Sequence, residues 1–307
     1  MDIVRFKGGL GNQMFQYALL KALASRGRKA MGSLGFYVKN PSLASFCLSN
    51  VFPNVSFDIV DESIFEDINE QWRTIKKDET ELRKYLTGYA HRFFWVEEQD
   101  GTYNEHIFDT NNCVFVGYWQ TEKYFSHIRK ELLWDFQFAV GEEKLEDLRN
   151  KFLVGNYVSV HIRRGDYLRH PEIYGNICVD SYYNEALAFV RKNVNNPVFV
   201  FFSDEIEWVR EHYKYQDALY IEAEMFEHYQ AWYDMCLMSC CVCNIIANST
   251  FSWWGAWLNQ RPGRKVIAPE PWLNGREMPD ICPVDWIRLG KKEDRVFGKI
   301  FETGTNI

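Results

Sequence analysis

At 307 residues, 47% of them apolar and 25% charged, the chain has the composition of a soluble globular enzyme and the length of two domains of about 150 residues. With 35 Lys and Arg against 42 Asp and Glu, the net charge of -7 excludes broad nucleic-acid binding, which needs a basic face. No apolar run reaches the ~18 residues of a membrane helix and no signal-peptide pattern opens the chain, so a cytoplasmic location is expected, with peripheral membrane contact left open.

Residues 3–6 read as a strand, Gly8-Gly9-Leu10-Gly11 as a turn, and Phe15, Ala18, Leu19, Ala22 and Leu23 as one helical face. This is a nucleotide-fold opening, but Met14 stands where the third glycine of G-x-G-x-x-G belongs, so it is weak as a dinucleotide signal. Between 35 and 150 the pattern predicts helices over 61–68, 80–85 and 142–152, and a strand at Cys113-Val114-Phe115-Val116. From Tyr157 the alternation is clear. Strands are expected over 157–162, 198–202, 219–221, 243–247 and 265–268, with helices near 181–192, 205–213, 227–240 and 251–259. Continuous apolar strands separated by amphipathic helices indicate an α/β fold whose parallel sheet is covered on both faces. The expected division is 1–150, 151–290 and a charged tail, 291–307.

In such sheets ligands bind beyond the carboxyl ends of the strands, and three polar motifs fall there. His161-Ile162-Arg163-Arg164-Gly165-Asp166 ends an apolar strand on a double positive charge, which suits a phosphate or pyrophosphate gripped by planar guanidinium forks. A structural Arg–Asp network is the plainer alternative. Asn248-Ser249-Thr250-Phe251-Ser252 opens a Trp-rich helix, where a Ser or Thr caps the end and the free N–H groups favour an anion. Ser203-Asp204 is either another cap or a carboxylate that accepts from the two adjacent N–H groups of a guanine. No Asp-x-Asp pair occurs to hold a divalent ion, and arginine with a helix N-terminus supplies equivalent charge stabilisation without one. Cys236, Cys240, Cys241 and Cys243 lack companion ligands at zinc spacing and are expected in the core. The 17% aromatic content, with eleven Trp, suits sugar-binding clefts and large cores alike.

The arginine motif, the opening Gly8-Gly9-Leu10-Gly11-Asn12-Gln13-Met14-Phe15-Gln16-Tyr17 and Asn248-Ser249-Thr250-Phe251-Ser252-Trp253-Trp254-Gly255 together resemble the α-1,2-fucosyltransferases of glycosyltransferase family 11. That family is similar to the α-1,6- and protein O-fucosyltransferases in its arginine motif. The resemblance spans residues 8–255. It implies a GT-B fold of two facing Rossmann-like domains, GDP-β-L-fucose as donor, no metal or other cofactor, and inverting transfer to the 2-hydroxyl of a terminal galactose of a β-galactoside oligosaccharide. Carried onto this chain, it implies that Arg163 holds the β-phosphate beside Arg164, His161 seats the guanosine and Asp204 reads the guanine. Asn248, Ser249, Thr250 and Ser252 would line the phosphates, and Asn12, after Gly9 and Gly11, would approach the donor from the N-terminal domain. Related enzymes often show two carboxylates after the second strand; here Asp204 is followed by Glu205. For the base that deprotonates the acceptor, Asp166 and Glu172 are candidates, although Asp166 is placed to brace Arg164 instead. Acceptor specificity is expected in 35–150. The competing readings are a non-catalytic sugar-nucleotide or glycan-binding protein and a dinucleotide-dependent oxidoreductase.

Overall fold

A computed structural model describes residues 1–65, 86–90 (backbone alone), 93–98, 101–109 and 111–290. The helix expected over 80–85, the end of that over 61–68 and the tail 291–307 lie outside the described residues. Within 61–68, Glu62–Phe65 forms a single 3-10 turn.

The chain opens as expected with strand β1 (Asp2–Arg5), helix α1 (Leu10–Ala24) and strand β2 (Ala30–Ser33), β2 pairing parallel with β1 from Asp2↔Ala30 onward. Short helices α2 (Gly35–Lys39) and α3 (Leu48–Val51) follow, then β3 (Leu86–Ala90), β4 (Phe93–Glu97) and β5 (Cys113–Val116). The sheet order is β2-β1-β5-β4-β3, parallel except where β3 runs antiparallel to β4. Helices α4 (Arg129–Asp135) and α5 (Glu143–Val154) lead to the second sheet.

There, β6 (Tyr157–Ile162), α6 (Pro171–Tyr174), α7 (Asp180–Asn193), β7 (Val198–Ser203), α8 (Ile206–His212) and β8 (Ala218–Tyr220) come first. They are followed by α9 (Trp232–Met238), β9 (Cys243–Ile245), α10 (Thr250–Trp257), β10 (Lys265–Glu270) and β11 (Ile287–Gly290). The order is β11-β10-β9-β6-β7-β8 and every pairing is parallel. Val158 to Ile162 are all buried, so β6 is covered on both faces, as its unbroken apolar run requires. Two α/β units of largely parallel strands facing a shared cleft form the GT-B-type architecture.

The expected helix over 227–240 starts later, at Trp232. The backbone N–H groups of Glu227 and His228 both donate to the Glu142 carboxylate, at 3.0 Å each, and so are held in a loop by a residue far away in sequence. Cys236, Cys240, Cys241 and Cys243 are buried free thiols, all pushed up in pKa by burial.

α1 is buried nearly all round because α10 lies against it. The Phe15 ring packs 4.5 Å from Trp253 and 4.9 Å from Trp254, and Trp254 stacks on Phe125 at 5.6 Å. One apolar core therefore runs from the first unit into the second. The two buried glutamines of α1 are fully engaged, as buried polar groups must be. Gln13 donates to the Gly8 and Ser45 carbonyls and accepts from Cys47 N–H, while Gln16 accepts from Lys7 N–H and donates to the Gly117 carbonyl. They fasten the glycine turn to its surroundings. Among the described residues no helix is long and apolar enough to cross a membrane.

Candidate active site

A cavity of about 610 Å³ opens where the strand ends of the second sheet meet the start of α1. The first unit contributes Gly9, Leu10, Gly11 and Asn12. The second contributes His161, Arg163 and Asp166 after β6, Ser203 and Asp204 after β7, and Ser249 and Thr250 at the start of α10.

Two helix N-termini converge here because Gly11 has no side chain. A Cβ at Gly11 would lie 2.6 Å from the Thr250 carbonyl carbon and 2.8 Å from Phe251 N, and the Gly11 carbonyl accepts from Trp254 Nε1 at 3.0 Å. Neither N-cap residue, Gly9 or Ser249, makes a side-chain cap. The expected Ser cap is absent. The leading N–H groups of α1 and α10 keep no side-chain partner at their caps, and their dipoles favour an anion in the gap.

Arg163 reaches this gap already gripped by two carboxylates. Its Nε and Nη2 lie 2.9 and 2.6 Å from Asp166 Oδ1, and Nη1 lies 3.3 Å from Asp204 Oδ2. Asp204 also accepts from the Arg164 N–H at 3.0 Å, beside Gly165, where a Cβ would sit 2.4 Å from Asp204 Oδ2.

Two buried polar atoms on this cavity have no partner among the described residues, His161 Nδ1 and Asp234 Oδ1. Burial, aided by the Arg163 charge, lowers the His161 pKa to about 3, so its ring is neutral. Burial raises Asp234 to about 7 against a hydrogen bond from Tyr229. A second cavity of about 700 Å³ adjoins the first, sharing Asn12, Tyr167, Tyr174 and Thr250 with it.

The family described as glycosyl transferase family 11 matches residues 1–289. The chain belongs to glycosyltransferase family 11. It is 32% identical over 302 residues to an α-1,2-colitosyltransferase of Escherichia coli, covering 94% of this chain and 99% of that one. It is 29% identical to an O-antigen biosynthesis glycosyltransferase of the same species, over 92% and 98% of the two chains. With a galactoside 2-α-L-fucosyltransferase of Bos taurus it shares 27% identity, over 83% of this chain and 63% of that one. The oxidoreductase and non-catalytic readings thereby fall away.

Several expected roles do not fit where this family 11 glycosyltransferase places the residues. Arg164 turns away from the cavity, pairing with Glu205 at 2.9 Å and lying 3.4 Å over the Trp208 ring. Asp166 therefore braces Arg163, not Arg164. Ser252 is wholly buried one turn into α10, its hydroxyl on the Ala247 and Ser249 carbonyls, and does not line the cavity. Asn248 is buried too, its amide donating to the Trp272 carbonyl at 3.0 Å and accepting from Cys178 Sγ, and it lines the second cavity but not the first. Glu172 is exposed beside His170 and lines neither cavity. Asp204 is not a helix cap, since α8 begins after Glu205. Asp234 is absent from the motifs above, and its one sequence signal is a lone carboxylate inside Trp-Tyr-Asp-Met-Cys-Leu-Met, because a buried acid needs a reason.

Proposed function

We propose that this enzyme transfers L-fucose from GDP-β-L-fucose, with inversion and without a metal ion, to the 2-hydroxyl of a terminal galactose in a β-galactoside oligosaccharide. The observation that carries this reading is Arg163, held by two carboxylates at the meeting point of two helix N-termini. A pyrophosphate entering that gap exchanges carboxylate for phosphate on the same guanidinium. As the bond from the anomeric carbon to the β-phosphate oxygen breaks, the growing negative charge is met by a fixed cation and by aligned N–H groups. Preorganised donors of this kind are worth about 10²–10³ in rate each.

In this reading the guanine ring is recognised by Asp234. Guanine offers two adjacent donors, N1–H and the 2-amino group, and needs a carboxylate with free acceptor capacity. The Asp204 oxygens serve Arg163 and the Arg164 N–H, whereas Asp234 Oδ1 is buried, lines the cavity and lacks a partner. His161, neutral at any working pH, presents its free Nδ1 to the same donor.

One observation favours a second donor. The E. coli relative at 32% identity is named for colitose, which is fucose without its 3-hydroxyl. The experiment offers GDP-fucose and GDP-colitose separately, with a panel of β-galactosides, with and without EDTA, and determines the linkage by NMR. Formation of an α-1,2-fucosyl galactoside, undiminished by EDTA, is expected. Transfer from GDP-colitose alone overturns the donor assignment. Loss on chelation that Mn²⁺ restores overturns the metal-free mechanism.

A further inference from the structure

The second cavity lies beyond the donor site, walled by the ends of β4 and β5 on one side and the 272–278 loop on the other. The phosphate-binding groups Arg163 and Ser249 and the base-reading Asp234 line the first cavity alone. The four shared residues therefore mark the boundary, where the anomeric carbon sits once the nucleotide fills the first cavity. A nucleophile displacing the phosphate in line must come from the second.

Two adjacent carboxylates reach that cavity, and they differ in what holds them. Glu98 is spent on the wall itself, accepting from Tyr118 N–H at 2.6 Å and Gln120 N–H at 3.0 Å. Gln120 in turn donates to Asn12 Oδ1 at 2.9 Å, tying that wall to the first turn of α1. Glu97, the last residue of β4, is exposed to the cavity, and among the described residues no hydrogen bond or ion pair holds it. Lys7 enters the same cavity at 4.4 Å over the Tyr118 ring and feels both carboxylates, Glu98 more strongly than Glu97. The carboxylates considered from the sequence are placed differently: Asp166 is bound to Arg163, and Glu172 lies outside both cavities.

We propose that the second cavity takes the terminal galactose of the acceptor and that Glu97 is the general base of the transfer, an inference that rests on the donor reading above. The attacking hydroxyl loses its proton to the Glu97 carboxylate as its oxygen bonds to the anomeric carbon. The bond from that carbon to the phosphate oxygen breaks, and its electron pair leaves with the nucleoside diphosphate. Glu97 then returns the proton to solvent.

The test compares Glu97→Gln with the parent, using the GDP-sugar and galactoside that the parent turns over. A wrong donor assignment then shows in the parent, and a wrong base only in the variant. The variant is expected to bind GDP as the parent does in calorimetry and to lose 10²–10⁴ in kcat, the usual cost of a missing base. Azide carries no proton to remove, so glycosyl azide formation should be the same in both proteins. Ile173→Trp, which fills the second cavity at a residue absent from the first, should raise the galactoside KM at least tenfold and leave the GDP Kd unchanged. A Glu97→Gln kcat within about threefold of the parent overturns the base, as does an equal loss with azide. An unchanged galactoside KM in Ile173→Trp overturns the acceptor site.

Discussion

In the proposed reading, Asp234 is a buried acid that recognises the nucleobase. Its pKa near 7 comes from burial, because an apolar surrounding penalises the carboxylate more than the neutral acid. Guanine donors satisfy only the carboxylate, so bound nucleotide pulls that pKa back down. If Asp234 reads the guanine, GDP affinity should be full above about pH 7 and weaken as pH falls below it, because the acid must first lose its proton. His161, at about 3, stays neutral throughout that range. Calorimetry between pH 8 and 6 should show the GDP Kd rising in the parent. Asp234→Asn should bind tenfold to a hundredfold more weakly at pH 8, the ~1.5–3 kcal/mol of a hydrogen bond to a charged group. Its affinity should change less with pH, since only the nucleotide's own phosphate still titrates. Equal pH slopes in the two proteins would show that Asp234 does not meet the base.

At the scale of elements, the paired starts of α1 and α10 are the device that makes the anion site. A methyl group at Gly11 would meet backbone atoms of Thr250 and Phe251, which cannot swing aside as a side chain end can. Gly11→Ala should push the helix starts apart, costing about 1–3 kcal/mol of stability as overpacking does, and weakening GDP binding with it. Gly9→Ala is the matched comparison, because a Cβ there meets nothing within 4 Å. Thermal melts of the two variants decide the point: a Gly11→Ala Tm equal to that of Gly9→Ala would mean the helices have room to spare. The sequence showed the glycines of this opening as a turn. It did not show that one of them is a contact between two halves of the chain, because its neighbour in space is 239 residues further on.

Among the described residues, the two sheets are joined by an apolar cluster to which both units contribute, beside smaller clusters of their own. Trp253, Trp254 and Trp257 belong to α10 of the second unit, yet they pack with Phe15, Phe125 and Phe136 of the first. Interfaces between domains that move freely are more polar than this aromatic contact. The two units should therefore unfold together, and the expected division at residue 150, which falls inside α5, should mark no independent folding unit. Scanning calorimetry should give one transition with matching calorimetric and van't Hoff enthalpies. Two resolved peaks, one of them raised by GDP, would show that each unit melts on its own.

What the sequence determined by itself is whatever depends on neighbours along the chain. The run Tyr157 to Ile162 had to be a strand covered on both faces, and Asp180–Asn193 an amphipathic helix, because period and apolar content are local properties. Strand ends carry the ligand in a parallel sheet, so the rim of Arg163, Asp204, Ser249 and Thr250 was legible as well. Only the tertiary structure decided which charges pair. Asp166 reaches Arg163 and leaves Arg164 to Glu205, a choice made by how the ends of β6 and β7 lie side by side. It also decided that Ser252 faces inward, that Asp234 is a buried acid on a cavity wall, and that Glu97 enters the cavity beyond. Burial and opposition across a cleft are set by residues distant in sequence, and no periodicity within a segment records them.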